Sequence, residues 1–594
     1  MWEIEKPKTK KVETPPEELQ GRYLVIGPPG TGKTTFLAAQ ARAIVSRWAS
    51  AEDRGVWTTP LMICSLTRAA ASEIAGRDLG ITNELVGTLH SFCYRAIGKP
   101  QMLTADDLAD WNRQYGRWDM PPNDYAPPTD EAVWDNSSDT TTGRYRGYAL
   151  FSELEIHRHK MTPDDELKPE ILGLKRAWTE FKQDRGVDFT DMIESARVTA
   201  TKAPNHPWAI LVDESQDLSA LEYELVKKWG RQAKAIILVG DPLQSLYTWR
   251  GADPRIFYDT EVPESKRRVL SQSYRVPKKV LEASLSWAEQ ISDYRAIEYK
   301  PRQVPIVDED DIDGDLDVSR ASIADCGRLI LDIDKLTDTG RSVMFQASCG
   351  YMLNNLIDEL RDRGIPFANP WRETSPQWNP LGNRRGNTTV SRAARLCSNC
   401  PDMEASARAP WTWKDLHLIV EHMKVKDNLV RGVKVKIAEI AADEHDGDDR
   451  VYPSELNSVF EPDALGMAVD ILSGKVESAK AIDWWSARLG PKHSVASGYA
   501  ARVISEYGIR GLTSPPRVFV GTIHSFKGAE ADVVYVFPDL SKAAMRQWMA
   551  GGEKKDEVVR TFYVAMTRSR EKLVVCQPAS RFCVPLRRHV RSMI

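Results

Sequence analysis

Residues 27–34 read GPPGTGKT, a glycine-rich turn closed by a lysine and a hydroxyl, set between an apolar stretch and a run with helical spacing. Such a turn can wrap backbone N–H groups around phosphate oxygens, and the following helix adds the positive end of its dipole. In that chemistry Gly27, Pro28, Gly30, Thr31 and Gly32 shape the cradle. Lys33 neutralises the β- and γ-phosphates, and the Thr34 hydroxyl holds Mg²⁺. A second group, ILVDESQD at 210–217, ends an apolar run on two adjacent carboxylates. Asp213 can hold magnesium through its water shell, and Glu214 can orient or deprotonate an attacking water. Phosphoryl transfer also needs cations where charge develops. Beyond Lys33 the candidates are Arg275 in LSQSYRVP and Arg568 in YVAMTRSREK.

A third stretch, GDPLQSLYTWRGAD (240–253), sets Gln244, Tyr247, Trp249 and Arg250 just beyond the apolar run AIILV. The aromatic faces of Tyr247 and Trp249 suit base stacking, worth about 1–3 kcal/mol per base. Arg250 reads as a phosphate contact or as a brace for the loop.

These groups need a frame that gathers them. Apolar runs at RYLVI, LMICSL (61–66), WAILV and AIILV alternate with helical patterns, which predicts a parallel sheet covered on both faces. Polar residues at the carboxyl ends of such strands mark its ligand edge. The segment 93–186, rich in Trp, Tyr, Pro and Asp and then helical, interrupts the pattern. A second α/β set begins near 266 and includes the strand RSVMFQAS (341–348) and the amphipathic YMLNNLIDELRDRG. Loops and helices fill 376–510, and strands return in RVFVGTI, DVVYVF and EKLVVCQ. The expected fold class is α/β: two parallel-sheet domains, each interrupted by a mostly helical insertion. Their boundaries read 1–92 and 187–265 for the first with its insertion at 93–186. The second takes 266–375 and 511–594, with its insertion at 376–510.

At 594 residues the chain exceeds one core, and its net charge of −4 excludes a uniformly basic binder while leaving room for a local groove. No apolar run approaches eighteen residues and the first twenty lack an apolar core, so the expectation is a cytoplasmic protein with no membrane partner. Eight scattered cysteines read as reduced thiols. Cys397 and Cys400 form a CxxC, but His417 and His422 stand beyond zinc-finger spacing and no second CxxC exists, which argues against a zinc site.

Taken together, GPPGTGKTT, SLTRAAASEI, GTLHSF, VDESQD, LVGDPLQSLYTWRGA, LSQSYR, GTIHSFKGAEADVV and YVAMTRSREKLVV resemble, in order, the successive motifs of superfamily 1 DNA helicases of the UvrD/Rep/PcrA type. The resemblance runs from residue 24 to residue 575. It implies two RecA-like motor domains with ATP and Mg²⁺ in the cleft between them. On the same basis Gln244 senses the γ-phosphate, and Arg275 and Arg568 reach it as arginine fingers from the second motor. Tyr274 lies near the adenine, Glu530 meets the ribose, and Lys527 and Gly528 flank the nucleotide. Thr67, Thr88 and His90 on the first motor, and Thr522 and His524 on the second, fall in strand-binding loops. Hydroxyls and amides there suit contacts to sugar and phosphate, which position a strand without reading it.

The resemblance further implies a DNA-stimulated ATPase that moves 3′ to 5′ on single-stranded DNA and unwinds tailed duplexes. An alternative is a translocase subunit that removes proteins, or serves a nuclease complex, without unwinding alone. The insertions are candidate surfaces for protein partners. Two departures stand out: the region before Gly27 lacks the family's glutamine motif, and Thr35 in the nucleotide loop replaces a common arginine. Both remove contacts to the base, so other purine triphosphates remain admissible beside ATP.

Overall fold

The computed structural model describes residues 20–51, 54–65, 74, 76, 79–120, 146–259, 261–304, 312–331, 333–370, 372, 375, 377–381, 388–403, 408–443 and 446–594. The first sheet contains β1 (Gly21–Ile26), β2 (Thr59–Ser65), β3 (Val86–Thr88), β4 (Pro207–Val212), β5 (Ala235–Gly240) and β6 (Arg267–Val269). Their order is β3-β2-β4-β5-β1-β6, and every pairing is parallel.

Side chains alternate across this sheet, and both faces are apolar. Leu24, Met62, Ile210 and Ile236 join one core with the helices Leu89–Ala96, Phe189–Thr199 and Ala220–Gly230. Val25, Ile63, Leu211 and Ile237 join the other with Leu37, Ala41 and Ile44 of the helix Lys33–Ser50. Strands buried on both faces must be apolar throughout, which is why they stand out in the sequence as unbroken runs.

The described part of 93–186 is helical, with Ala105–Gln114, Arg146–His159 and Pro169–Lys182 around a core of their own. Trp111 is its centre, stacked on Tyr115 at 4.2 Å and edge-on to Trp178 at 4.9 Å. Its indole N–H donates to Trp118 O at 2.8 Å, satisfying the one polar atom the ring carries.

The second sheet contains β7 (Asp315–Ser322), β8 (Val343–Ala347), β9 (Phe367–Ala368), β10 (Val518–Thr522), β11 (Ala531–Val536) and β12 (Ser569–Gln577). The order is β7-β12-β11-β8-β10-β9, with β8 parallel to β10 and β11, and β9 parallel to β10. Helices Thr389–Leu396, Trp413–Val420, Pro462–Leu472, Ser478–Ser486 and Pro491–Tyr507 occupy the segment between β9 and β10. Among the described residues no helix is long and apolar enough to cross a membrane.

By compactness the chain divides into two units. Residues 1–317, 540–573 and 582–594 form one, and 318–539 and 574–581 the other. This differs from a second domain beginning at 266 and reclaiming everything after 511. Residues 267–269 pair with β1, Leu24 opposite Arg267, so this stretch extends the first sheet. The helix Gly552–Met566 accepts the Trp287 indole N–H at Val559 O (3.0 Å), which ties it to the first unit as well.

Candidate nucleotide and nucleic-acid site

Strand β5 pairs with β4 on one side and β1 on the other, so three carboxyl ends lie together. Gly27 N–H donates to Gly240 O at 2.8 Å, and the loops after β1 and β5 leave the sheet from one point. Gly30 and Gly32 take φ of +73° and +81°, the left-handed region that glycine enters without strain. Gly32 precedes the helix Lys33–Ser50 with no side chain capping it, so no capping side chain occupies the first-turn N–H groups. Thr31 Oγ1 donates to Pro28 O at 2.8 Å, and Lys33 Nζ folds back to Gly27 O at 2.9 Å. Thr34 and Thr35 follow in the first turn, half-buried.

A second loop closes over this one. Tyr274 N–H donates to Gly30 O at 2.8 Å, Ser273 Oγ to Pro29 O at 3.1 Å, and the Tyr299 hydroxyl to Pro29 O at 2.7 Å. Arg275 is thereby held at the phosphate loop, while the Tyr274 side chain stays exposed. A β-carbon on Gly30 would stand 2.5 Å from Arg275 Cβ. Gly30→Ala therefore combines a disfavoured φ with a clash, at about 1–3 kcal/mol. The expected result is a Tm lowered by several degrees and weakened nucleotide binding, measured by thermal unfolding with and without nucleotide.

Asp213 is buried at the end of β4, its N–H donating to Cys64 O at 2.9 Å. Glu214 has φ +50°, unusual for a residue with a side chain and a feature that collects at functional sites. Its N–H reaches Asp213 Oδ1 at 3.0 Å, and its carboxylate accepts from Gln216 Nε2. A buried carboxylate and the Thr34 hydroxyl offer hard oxygens, a donor set that suits Mg²⁺, which keeps waters and phosphate oxygens in its remaining positions.

Gln244 is buried after β5. Its Nε2 donates to Asp241 Oδ2 at 2.8 Å, and its Oε1 accepts from Arg568 Nη2 at 3.2 Å. Arg568 also donates to Val564 O at 2.9 Å and Thr567 Oγ1 at 3.1 Å. Burial, and then the charge of Arg275, push its pKa down to about 9, which leaves it charged at neutral pH. The Asp241 carboxyl is shifted upward by burial, against the pull of Lys33 and of the Gln244 hydrogen bond. Lys33, Asp213, Glu214, Gln244, Arg275 and Arg568 are thus all in the first unit, Arg275 and Arg568 included.

Beside this centre a cavity of about 1060 Å³ brings together His90, Phe189, Thr248 and Arg250. Thr88 caps the helix Leu89–Ala96 through Ser91 N–H at 3.3 Å, which aims His90 from its first turn. His90 meets Phe189 edge-on at 5.9 Å, and burial holds its pKa below the ordinary imidazole value. Tyr247 and Arg250 bracket a short 3₁₀ turn that ends on Gly251 in the left-handed region (φ +94°). Thr67 and the Trp249 side chain lie outside the described residues.

In the second unit, Thr522 ends β10 and accepts Ser525 N–H at Oγ1 (3.2 Å). His524 is buried in the turn that follows, and Lys527 N–H donates to His524 O at 3.2 Å. Gly528 takes φ +86°, and Glu530 is exposed. Cys397 and Cys400 are buried in the helical segment of this unit, the Cys397 thiol donating to Ser478 O at 3.8 Å.

Several residues of the site carry no motif signal strong enough to be singled out from sequence. Gln216 and Asp241 join Glu214 to Gln244, and Ser273 and Tyr299 hold the two nucleotide-side loops together. Glu222 is buried among His159, Arg250 and His90; burial alone would raise its pKa, yet those neighbours bring it below the usual value. The spacing Ser219-x-x-Glu222 is legible, but as a helix-capping box, which it also forms.

Residues 17–250 match the AAA domain family, and residues 500–579 match the UvrD-like helicase C-terminal domain. ATP-dependent DNA helicase PcrA of Staphylococcus epidermidis is 24% identical over 286 residues, 45% of this chain and 37% of that protein. PcrA of Leuconostoc citreum is 23% identical over 292 residues, again 45% and 37%. A "Probable DNA helicase II homolog" from Mycoplasma genitalium is 24% identical over 299 residues, 44% and 40%. The chain thus spans well under half the length of these curated relatives.

Proposed function

Because the chain belongs to the UvrD/PcrA type of superfamily 1 helicases, we propose that it hydrolyses ATP to move 3′ to 5′ along single-stranded DNA and to unwind duplex DNA. The observation that carries this reading is the gathering at three adjacent strand ends. Lys33, the Asp213–Glu214 pair and Gln244 meet there, with Arg568 3.2 Å from Gln244 Oε1.

In this reading the loop Gly27–Thr34 binds the phosphates through its backbone, and Lys33 exchanges its bond to Gly27 O for a phosphate oxygen. Asp213 and Thr34 would hold Mg²⁺, which when bound draws charge from the phosphate oxygens. Glu214 orients the attacking water and takes its proton. Arg275 and Arg568 stabilise charge developing on the transferred group, where preorganised cations act most strongly. Tyr274 lies along the base. Lys527, Gly528 and Glu530 belong to the nucleotide side of the second unit, and Thr522 and His524 to its strand side. On the first unit Thr67, Thr88, His90, Tyr247, Trp249 and Arg250 take the strand. Gln244 and Arg250 stand six positions apart, so hydrolysis felt at one end is passed directly to the strand at the other.

A strand-displacement assay on 3′-tailed and 5′-tailed duplexes, run with ATP and then GTP, tests this. The expected result is displacement of the 3′-tailed substrate alone, with turnover stimulated many-fold by single-stranded DNA. Stimulated turnover without displacement would leave a translocase that needs a partner, and stimulation by RNA in place of DNA would reassign the strand.

A further inference from the structure

The amides of Gln216 and Gln244 are held at both ends, and their orientations are set by one residue. Asp241 Oδ1 accepts Leu243 N–H at 3.0 Å, and Asp241 Oδ2 accepts Gln244 Nε2 at 2.8 Å. With both oxygens accepting, the carboxylate acts as an acceptor only. The Gln244 amide must then turn its NH₂ toward Asp241, which leaves Oε1 for Arg568 Nη2. On the other side Asp241 N–H donates to Gln216 Oε1 at 3.0 Å, so Gln216 must turn its NH₂ away, and it meets Glu214 Oε2. Gln216 reaches this position because residue 240 is glycine: a β-carbon there would stand 2.2 Å from Gln216 Oε1. Ser245 Oγ fixes the same segment by donating to Gln216 O at 3.0 Å.

We propose that Asp241 is a positioning residue for ATP turnover. It sets the direction of the Gln244 amide and, through Gln216, joins Glu214 and Arg568 into one hydrogen-bonded unit spanning the water side and the cation side of the γ-phosphate. The proposal rests on the ATPase reading above. A plainer role is available to the same carboxylate, since Oδ1 alone caps the turn Pro242–Gln244. The two roles use different oxygens and can be separated. Asp241→Ser keeps a capping oxygen and loses the contact to Gln244. Asp241→Asn offers one acceptor and one donor, so it can cap the turn or hold the Gln244 NH₂ but cannot do both.

The experiment measures DNA-stimulated ATP turnover, KM for ATP and Tm for wild type, Asp241→Ser, Asp241→Asn, Gln244→Ala and the double variants. Expected is a fall in kcat of about ten- to a hundredfold in each Asp241 variant, with KM within about threefold and Tm nearly unchanged. Residues acting through one another are non-additive, so adding either Asp241 substitution to Gln244→Ala should cost no more than about twofold further. Losses that multiply in the double variants, a change in KM with kcat retained, or Asp241→Ser turning over as wild type would each overturn the proposal. If wild type itself shows no stimulated turnover, the functional reading fails first and this assignment with it. A defect in Gln244→Ala without one in the Asp241 variants sinks this assignment alone.

Discussion

Lys33→Ala is expected to abolish ATP hydrolysis, lowering turnover by about a thousandfold or more, while single-strand affinity stays within about threefold. A thousandfold is about 4 kcal/mol of transition-state stabilisation. A cation fixed against the β- and γ-oxygens in a site with little water can supply that much. The fold should tolerate the loss, because the loop's own bonds do not pass through the ammonium. Gly27 N–H to Gly240 O, Thr31 Oγ1 to Pro28 O and Tyr274 N–H to Gly30 O all survive it. Only Gly27 O loses a partner, and a water can replace a half-buried ammonium there. Lys33→Arg should not rescue turnover, since the lysine side chain lies over Gly27 and a β-carbon there would already stand 2.4 Å from Lys33 Cγ. A planar fork does not follow that path. Steady-state ATPase with saturating single-stranded DNA, beside fluorescence anisotropy on a labelled oligonucleotide, gives both numbers. Turnover within tenfold of wild type would remove Lys33 from the chemistry.

How much of this site could be read before the coordinates depended on whether the signal was local. The phosphate loop is local: its glycines, its lysine and its flanking strand and helix lie within thirty residues, and each constrains the others. The carboxylate pair is local too, because a strand buried on both faces announces its own end. Strand β6 is not. Three residues, Arg267, Arg268 and Val269, pair along the outer edge of the first sheet beside β1, with no apolar run to mark them, so 266 reads as the start of something new. The arginines are harder still. Arg568 follows Gln244 by 324 positions, and no spacing rule links them; only resemblance to a family brings them to one page. Asp241 and Gln216 show a different limit. Both stand inside quoted motifs, yet a buried carboxylate or amide acquires its role from partners on other loops. The tryptophans of the first insertion stand in a stretch that the sequence marks only as an interruption rich in Trp, Tyr, Pro and Asp. Trp111 and Trp118 lie in the core of a small helical body, packed with Phe151, Trp178 and Phe181.

Arg568 supplies the second large effect, and its sign differs between the two measurements that read it. The side chain is buried, and burial and Arg275 lower its pKa to about 9. A cation whose folded-state pKa is depressed below its unfolded value is held at a cost. The unfolded chain binds the extra proton between about pH 9 and the unfolded pKa, so stability rises with pH across that window. Below pH 9 the cost is at its full and constant value, which includes every pH at which the protein would be assayed. Replacing Arg568 with methionine, of similar volume, removes that cost along with the bonds to Gln244, Val564 and Thr567. Exchange of a buried charge for a well-packed apolar side chain is commonly neutral or stabilising. The nucleotide-free Tm of Arg568→Met should therefore stay within about 2 °C of wild type or rise. Turnover should move the other way, falling by about a thousandfold, the lower range for loss of an arginine that stabilises the transferred phosphoryl group. The rise in Tm that ATP gives the wild type should shrink as well, because the anion that offsets the buried charge no longer has it to meet. A variant that unfolds earlier and hydrolyses ATP in proportion to its folded fraction would make Arg568 a structural residue. One that unfolds no earlier and no longer turns over would mark it as a charge held ready for the γ-phosphate.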